Sequence, residues 1–552
     1  SRGMQRQFTQ AVAYLNRFDA DELSPCARWL SENGRFLQEE IETVVRFSFP
    51  LLPAAPRESL PRIQAFAQAL VSHARAALTQ DGLLSAVHTC QSNEPFTVAE
   101  LSQLFMTLRL TLCQLTVQLA QESAGEQRAH EKARSVVRRL AKGRVAQARR
   151  LLERRRQDNA FWEQLMRLRN AADSEEGLAC LDPFFLEKGI DGERIASEEH
   201  KKQAEDALWV ANAIQSLRRI NRMPWARMEE ELSVVHETLS KDAVYLAMDE
   251  ESRAYYRSET ARLAQWLHLP EKAVCDGALH LGEKAQPETP AAHVGYYLLD
   301  DGQSALLQQL QKRSIGKRLR LFLQSRACGL FRAASWLCFA VLLLLGAVDG
   351  LFPLLWIPFA AVVTFSLQQF GILLLQRRIR PRMKPRIQLE CLDEANRTLV
   401  VCPTMLLSPR HALTMVKHLS VLYQANRDEQ LHFMLLGDFQ DSLSGTLAGD
   451  QEIVDAAAAA IQALAADTGH PFFYLQRERV YSAADHLYSS RERKRGSLET
   501  LLCLLQGKPY QDAFAYASVP PETFTGRYRY VITLDSDTLL PPGSALRMVG
   551  TM

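Results

Sequence analysis

Apolar residues recur at helical spacing from residue 5 to about residue 300, and few β-branched runs there are long enough for a strand. One such stripe lies on a single helix face and consists of Trp29, Leu30, Phe36, Leu37, Ile41, Val44 and Val45. We therefore expect residues 1–310 to form an all-α domain, followed by a basic linker over residues 311–332.

A strongly basic segment from Arg128 to Arg156 lies inside that helical region and contains only two acids, Glu131 and Glu153. Three interpretations fit it: a solvated helix whose apolar stripe packs inward, a helix on an anionic membrane surface, or a helix that touches nucleic acid. In the whole chain 65 basic residues balance 63 acidic ones, which is not the composition of a nucleic-acid-coating protein. We expect no nucleic-acid partner.

An apolar run from Ala333 to Leu375 is interrupted by only one charged residue, Asp349. Because about 20 residues span the hydrocarbon core, the run predicts a transmembrane hairpin over residues 333–376. Basic clusters flank both ends, so the positive-inside rule puts both flanks in the cytoplasm and the Asp349 tip on the other side. A buried helical hairpin of a soluble protein is the alternative.

Beyond a second basic linker, residues 377–397, short β-rich runs alternate with helices. Such alternation is typical of a parallel α/β sheet, in which ligands gather at the carboxyl ends of the strands. Thr404, Asp438 and Asp535 all lie at predicted strand ends. Residues 398–552 are therefore predicted to form the amino-terminal half of an α/β domain, whose remainder we expect in a longer parent chain.

The cysteines and the first residues indicate the compartment. Ten cysteines are scattered without a CxxC pair or the spacing of metal ligands, which argues against a zinc site and against a disulfide framework. The sequence that starts with residues 1–4 (SRGM) has no apolar core of a signal peptide, and we expect the amino-terminal end not to be secreted. Both observations agree with reduced cysteine thiols in a cytosolic environment.

Asp535-Ser536-Asp537 is the motif with the clearest chemistry. Two carboxylates two residues apart at a strand end can bind a divalent metal together with the diphosphate of a nucleotide sugar, and oxygen ligands suit Mg or Mn. The metal then neutralises the charge that develops on the leaving nucleoside diphosphate. Such triplets are common in surface turns, and the hydrophobic strand before this one is what strengthens the interpretation.

The same residues also match the DxDxT signature of haloacid-dehalogenase-like phosphatases. There Asp535 would be the nucleophile and Asp537 the acid/base. That signature opens its fold and needs a long downstream domain, whereas fifteen residues follow Asp537 here and an α/β half-domain precedes it. We prefer the nucleotide-sugar site and keep the phosphatase as an alternative.

Two further polar groups follow the strand pattern. Asp438 is placed to contact the base or ribose of a nucleotide, with Asp441 one short turn later, but helix capping or turn formation also explains such aspartates. The run Arg493, Lys494, Arg495 and Gly496 leads into a helix whose amides and cations could meet a diphosphate. An ordinary basic helix start fits that spacing equally well.

Several stretches together carry a family resemblance. In the α/β region these are Val401-Cys402-Pro403-Thr404, LLGDFQDS (435–442), RERKRGSLETL (491–501) and VITLDSDTLLP (531–541). Upstream they are SLRRINRMPW (216–225), YLAMDEESRAYYR (245–257) and HVGYYLLDDG (293–302). The chain resembles the cyclic β-1,2-glucan synthases, GT-A enzymes related to processive cellulose-synthase-like transferases. The resemblance covers most of residues 20–552, with little to match around residues 60–160.

The resemblance implies an inverting, processive transfer from UDP-glucose that builds a β-1,2-glucan on the cytoplasmic side of the bacterial inner membrane. It implies four partners: the nucleotide-sugar donor, the growing glucan acceptor, the lipid bilayer and the rest of the parent chain. Carried over by position, Asp438 would be a uridine contact, Lys494 and Arg495 diphosphate contacts, and Asp535 and Asp537 the metal and diphosphate ligands. With Thr404 at the end of the first predicted strand, these are the six candidate donor-site residues. Related enzymes carry an asparagine after the basic-Gly element, where this chain has Ser497-Leu498-Glu499.

The general base for the acceptor hydroxyl should be a carboxylate further along the parent chain, beyond Met552. We expect later membrane helices and a glycoside-phosphorylase-like module there as well. The 552 residues would then bind donor poorly and not turn over alone. A non-catalytic alternative stays open: a membrane-anchored helical scaffold whose α/β part is degenerate and serves for interaction.

Overall fold

A computed structural model describes residues 2–49, 60–92, 94–153, 159–171, 181–189, 191–287, 289–310, 327–348, 353–376, 383–483, 485–510 and 513–552. The chain forms two compact units, Ser1–Asp242 with Tyr256–Leu321 and Ala243–Tyr255 with Phe322–Met552. The predicted domain boundaries stay predictions. The division adds one feature that the sequence pattern did not indicate, since thirteen residues inside the helical stretch belong to the second unit.

The described part of the first unit is built from helices, as the apolar periodicity predicts. They are α1 (Arg2–Leu15), α2 (Pro25–Glu32), α3 (Gly34–Arg46), α4 (Arg62–His73), α5 (Gln80–Gln91), α6 (Val98–Ala141), α7 (Val145–Glu153), α8 (Asn159–Ala171), α9 (Leu181–Lys188), α10 (Gly192–Ile220), α11 (Trp225–Leu232), α12 (Val234–Leu239), α14 (Glu250–Leu267), α15 (Glu271–Lys284), α16 (Val294–Leu299) and α17 (Gln303–Leu310). The first residues of α14 count with the second unit, as does α13 (Ala243–Leu246).

The 44-residue helix α6 is the centre of the first unit, and α1, α3, α4, α8 and α10 pack against it. Its first turn is fixed by a capping box: the Thr97 hydroxyl accepts from the Glu100 amide, and the Glu100 carboxylate accepts from the Thr97 amide. Glu100 also pairs with Arg62 at 2.7 Å. Deeper in the core, the buried Arg109 of α6 pairs with Glu40 of α3 at 2.7 Å. Fully paired buried charges fix which helix faces meet.

The basic segment forms the end of α6 and all of α7 as far as residue 153. Its apolar stripe packs inward, because Ala133, Val136, Leu140 and Leu152 join a buried cluster around Phe161. Cations such as Lys132, Arg138 and Lys142 are exposed. The arrangement is that of the solvated helix, the first of the three interpretations, while Arg154, Arg155 and Arg156 lie outside the described residues.

Helices α18 (Ala327–Val348) and α19 (Pro353–Gln376) carry the apolar run. They run antiparallel: the Trp356 indole donates to the Leu342 carbonyl at 2.8 Å, and Gly371 lies against Phe331. A Cβ at Gly346 would stand 1.8 Å from the Trp356 indole nitrogen, so glycine is required there. Both helices are long and apolar enough to cross a membrane, and only 6% of each span is buried. The Asp349 tip, and residues 311–326 and 377–382 of the basic linkers, lie outside the described residues.

The α/β part holds one five-stranded sheet and a small hairpin among its described residues. The strands are β1 (Thr398–Leu406), β2 (Leu431–Phe439), β3 (Phe472–Arg477), β4 (Val480–Ser482), β5 (Leu487–Ser489), β6 (Phe514–Ala517) and β7 (Tyr530–Thr533). The helices are α20 (Pro409–Ala425), α21 (Asp450–Thr468), α22 (Arg493–Leu505) and α23 (Ser544–Thr551).

The sheet order is β6-β3-β2-β1-β7, in which β3, β2, β1 and β7 are parallel and β6 is antiparallel to β3. The expected parallel sheet is therefore mixed, because the unpredicted strand β6 reverses direction. Apolar side chains cover both faces, with α20 and α21 over one cluster and α22 over the other. Parallel strands buried on both faces read as near-continuous apolar runs, which is why β1 and β2 stand out in the sequence.

The segment 243–255 pairs with the chain that leads from α19 to the sheet. Met248 forms an antiparallel bridge with Ile387, and the Gln388 amide donates to the Ala247 carbonyl at 2.9 Å. The Arg386 guanidinium pairs with the carboxylates of Asp249 and Glu251. The segment 243–255 thus contacts the chain that leads into the α/β domain.

Burial of one carboxylate makes the stability of the first unit depend on pH. Glu271 accepts the Val98 amide at the start of α6 at 3.0 Å, and burial, with the nearby Glu100 charge, raises its pKa from 4.5 to about 7. Unfolded Glu271 ionises near 4.5 while the folded residue keeps its proton, so this contribution to stability is complete below about 4.5 and is lost as the pH rises to about 7.

We expect Glu271→Gln, which keeps an acceptor for the Val98 amide and cannot ionise, to be more stable than the parent protein at pH 8 by roughly 1–3 kcal/mol. The difference should shrink towards pH 5. Urea unfolding followed by tryptophan fluorescence measures it, since five of the seven tryptophans lie in the first unit. Glu283→Gln changes an exposed carboxylate on the same helix and is the control. A stability difference independent of pH would contradict the assignment.

Candidate functional site

A cleft of about 570 Å³ opens at the carboxyl edge of the sheet in the second unit. Parallel strands end at one edge, and the register that aligns Met405 with Asp438 brings the ends of β1 and β2 side by side. β7 pairs with β1 on the other side, and its chain continues to Asp535. The lining residues are Pro403, Thr404, Met405, His411, Asp438, Arg493, Lys494, Asp535, Ser536 and Asp537.

Five of the six donor-site residues predicted from the sequence line this cleft, namely Thr404, Asp438, Lys494, Asp535 and Asp537. The sixth, Arg495, does not line it; its side chain is 84% exposed and pairs with Glu492 at 3.3 Å. Thr404 and Asp438 lie within the last residues of β1 and β2, because both strands continue further than the apolar runs indicate.

The Asp535-Ser536-Asp537 segment is held from both sides. The Leu534 amide donates to the Val401 carbonyl at 2.9 Å and extends the β7–β1 ladder to the residue before Asp535. The Thr538 amide then donates to the Asp535 carbonyl at 3.0 Å and closes a turn. Both carboxylates are exposed at this turn. A strand end followed by a hydrogen-bonded turn presents two carboxylates without burying them.

The segment after the turn is fixed by Asn426, a buried side chain that sequence reasoning did not single out. Its amide donates to the Leu540 carbonyl at 3.0 Å, and its carbonyl oxygen accepts from the Ala545 amide at 3.2 Å. One side chain thereby links the carboxyl end of α20 to the start of α23. Buried polar groups are retained where such partners satisfy them, so Asn426 holds the loop that follows the acidic pair.

Two cations that line the cleft pair with carboxylates, one of which, Asp535, also lines it. Lys494 is hydrogen-bonded to Asp535, and Arg493 pairs with Asp441 at 2.8 Å. The other Asp441 oxygen, Oδ1, is buried and has no hydrogen-bond partner, and neither has Nδ1 of the lining residue His411. The cleft therefore offers exposed cations and exposed carboxylates, which suit a polar charged ligand better than an apolar one.

The predicted metal site has two carboxylate residues. Among the described residues no group of three or more His, Cys, Asp and Glu is arranged to hold a metal ion. Asp535 and Asp537 supply the hard oxygen ligands that Mg or Mn prefers, but a six-coordinate ion needs more of them. The residues fit a metal whose coordination is completed by diphosphate oxygens and water, and the metal itself stays a prediction.

Sequence reasoning also missed Arg477, the residue at the end of β3. Its guanidinium is fully buried and forms a bidentate pair with Asp438, from Nε to Oδ1 at 2.7 Å and from Nη2 to Oδ2 at 2.9 Å. The signal was present, since an arginine directly follows the buried run 472–476, but the sequence does not say which carboxylate 39 residues away would meet it.

Comparison with known proteins gives one relationship that covers nearly the whole chain. No family model matches. The chain is 28% identical to the cyclic beta-(1,2)-glucan synthase NdvB of Rhizobium meliloti (strain 1021), over an alignment of 566 residues that covers 96% of the chain. The chain spans 20%, or one fifth, of the length of that relative. The protein is thus related to a part of a glucan synthase, and this supports a function connected with glycosyl transfer.

Proposed function

We propose that the chain is the donor-binding part of a membrane-bound glucosyltransferase that uses UDP-glucose and builds a β-1,2-linked glucan. The proposal rests on one observation. A single cleft at the carboxyl edge of the sheet is lined by Asp535 and Asp537, by Lys494, and by Thr404 and Asp438. The relationship to a cyclic beta-(1,2)-glucan synthase supports the sugar and the linkage. A volume of about 570 Å³ is in the ordinary range for a small-molecule site.

The charges of the cleft support a position for the diphosphate of the donor. Lys494 and Arg493 are cations at the start of α22, and the acidic pair lies opposite Lys494. Asp535 and Asp537 would hold Mg or Mn, which neutralises negative charge on the departing nucleoside diphosphate. Lys494 would then exchange Asp535 for a phosphate oxygen, because a metal ion and the lysine would compete for the same carboxylate. Metal and donor would therefore bind together more strongly than either binds alone.

The bilayer is the second partner in this proposal. Helices α18 and α19 expose large apolar side chains, among them Trp336 at 68%, Leu344 at 65% and Leu355 at 73%. An apolar surface of this extent is unfavourable in water and matches the hydrocarbon core of a membrane. The basic residues next to α18 and α19 support a cytoplasmic position for both soluble parts, at a bacterial inner membrane.

The first test concerns the metal ligand. We expect Asp537→Asn to weaken UDP binding in the presence of Mn²⁺ by at least about tenfold, because loss of one charged ligand removes most of the metal affinity. Isothermal titration of the 552-residue chain in lipid nanodiscs, with and without EDTA, measures it. Asp455→Asn, an exposed carboxylate on α21 outside the cleft, is the control.

The outcomes separate the functional alternatives. Unchanged, Mn²⁺-dependent affinity in Asp537→Asn would remove the metal assignment. Failure of the complete parent chain to bind UDP even at millimolar concentration would favour the scaffold. In the complete parent chain, the same substitution should abolish incorporation of labelled UDP-glucose into glucan in membranes.

The second test concerns Lys494. Lys494→Met should weaken UDP binding severalfold but tighten Mn²⁺ binding without nucleotide, because Asp535 loses its competing cation. The two opposite changes are measured by the same titrations. Arg495→Met is the comparison. The family resemblance predicts that this substitution also weakens UDP binding, whereas the exposed position of Arg495 outside the cleft predicts no change in UDP affinity. A loss of both affinities in Lys494→Met would contradict the proposed exchange.

A further inference from the structure

We propose that Arg477 is a positioning residue that sets the conformation of the cationic loop 490–496, and that it thereby determines how strongly the cleft holds a diphosphate. This inference rests on the proposed function for its ligand and on the geometry of the loop for everything else. Arg477 does not line the cleft, so it acts through the residues that do.

The guanidinium of Arg477 joins the end of β2 to the loop 490–496. One side of it forms the bidentate pair with Asp438 of β2. The other side donates to two loop carbonyls, from Nη1 to Arg491 O at 3.2 Å and from Nη2 to Arg493 O at 2.9 Å. Arginine is suited to this task because its planar group carries donors in fixed directions, which a lysine does not.

The loop that Arg477 holds has a backbone that is unfavourable on its own. Glu492 and Arg493 both have positive φ, 51° and 47°, a region that residues other than glycine adopt only at a cost in free energy. At Gly496 a Cβ would stand 1.9 Å from the Arg491 carbonyl oxygen and 3.2 Å from Arg477 Nη1. The tight turn therefore exists only while the Arg491 carbonyl stays where Arg477 fixes it.

The turn in the loop decides which side chains face the cleft. Arg493 and Lys494 line it, while the next residue, Arg495, is directed to solvent. If Arg477 no longer held the carbonyls of residues 491 and 493, the backbone of positive φ at Glu492 and Arg493 would relax. Arg493 and Lys494 would then move away from Asp441 and Asp535. A displacement of about 1 Å at such a site can change binding or rate a hundredfold.

This geometry also gives Asp438 a role that the sequence did not indicate. Both of its oxygens accept hydrogen bonds from Arg477, and the residue is 5% exposed. The predicted uridine contact through Asp438 remains a prediction. What the contacts add is that the Asp438 carboxylate orients Arg477, which in turn orients the cationic loop.

A neighbouring arginine offers a matched control. Arg479 is also buried and pairs with Asp450, and it donates to the Gln440 carbonyl at 2.5 Å and the Gly445 carbonyl at 3.4 Å. None of these partners lines the cleft or belongs to the loop 490–496. Arg477→Lys and Arg479→Lys therefore each remove a buried guanidinium group with its hydrogen bonds. Only Arg477→Lys also removes the hydrogen bonds to the cationic loop 490–496.

We expect both substitutions to lower the thermal midpoint by similar amounts. Only Arg477→Lys should weaken UDP binding in the presence of Mn²⁺, by about tenfold to a hundredfold, and only it should increase amide hydrogen exchange in residues 491–496. Equal UDP affinity and equal exchange of that loop in the two variants would overturn the inference. The hydrogen-exchange measurement needs no ligand, so it still decides the role of Arg477 if the unsubstituted 552-residue chain binds no UDP.

A second pair of variants covers the case in which Arg477→Lys fails to fold. Gly496→Ala keeps the buried pair but forces the Arg491 carbonyl to move, and it should reproduce the loss of UDP affinity and the faster exchange. Gly449→Ala is its control, since a Cβ there meets nothing within 4 Å. If Gly496→Ala left both measurements unchanged, the loop would not need the position that Arg477 gives it, and the inference would be wrong.

Discussion

A guanidinium that is removed from water must find acceptors for its donors, and the site of this protein is organised around that requirement. Arg477 is fully buried, and Asp438 and two loop carbonyls satisfy it. A buried ion pair contributes little net stability compared with apolar packing, because the desolvation of both charges offsets their attraction. Its effect under the proposal above is geometric, since the two hydrogen bonds hold the carbonyls of Arg491 and Arg493 in place.

The sheet is what makes that pair possible. In the parallel register Gly437 lies opposite Gln476, so the next residues on the two strands are Asp438 and Arg477. The same edge receives Thr404 from β1 and the acidic pair that follows β7. Cleft, buried pair and cationic loop therefore depend on one feature, the alignment of the carboxyl ends of neighbouring parallel strands.

The exposed charges at this edge are balanced before any ligand arrives. Asp535 faces Lys494, and Asp441 faces Arg493. Exposed pairs of this kind contribute little to stability, so they can be exchanged for ligand contacts at small cost. The buried pair below them cannot be exchanged in this way. Under the proposed function, a fixed framework of buried polar contacts thus carries a surface whose ion pairs are free to rearrange around a diphosphate.

The parts that the sequence predicted are those whose signal is local. Strands β1 and β2 are apolar runs, α18 and α19 are apolar runs long enough to cross a membrane, and the acidic pair closely follows a strand. The parts it missed depend on partners far away in the chain. β6 is a short strand whose one partner among the described strands is β3, and the sequence of the segment 243–255 does not show that it pairs with Arg386 and Ile387.

Arg477 belongs to this second group, and it explains why residue chemistry alone gave an incomplete site. A pattern of carboxylates and cations identifies groups that can contact a ligand, because their chemistry resembles that of the ligand's usual partners. It does not identify a residue whose partners are a carboxylate on one strand and two carbonyls of a loop. Arg493 and Lys494 reach the cleft, and Arg495 does not, for a reason of backbone conformation that no spacing rule contains.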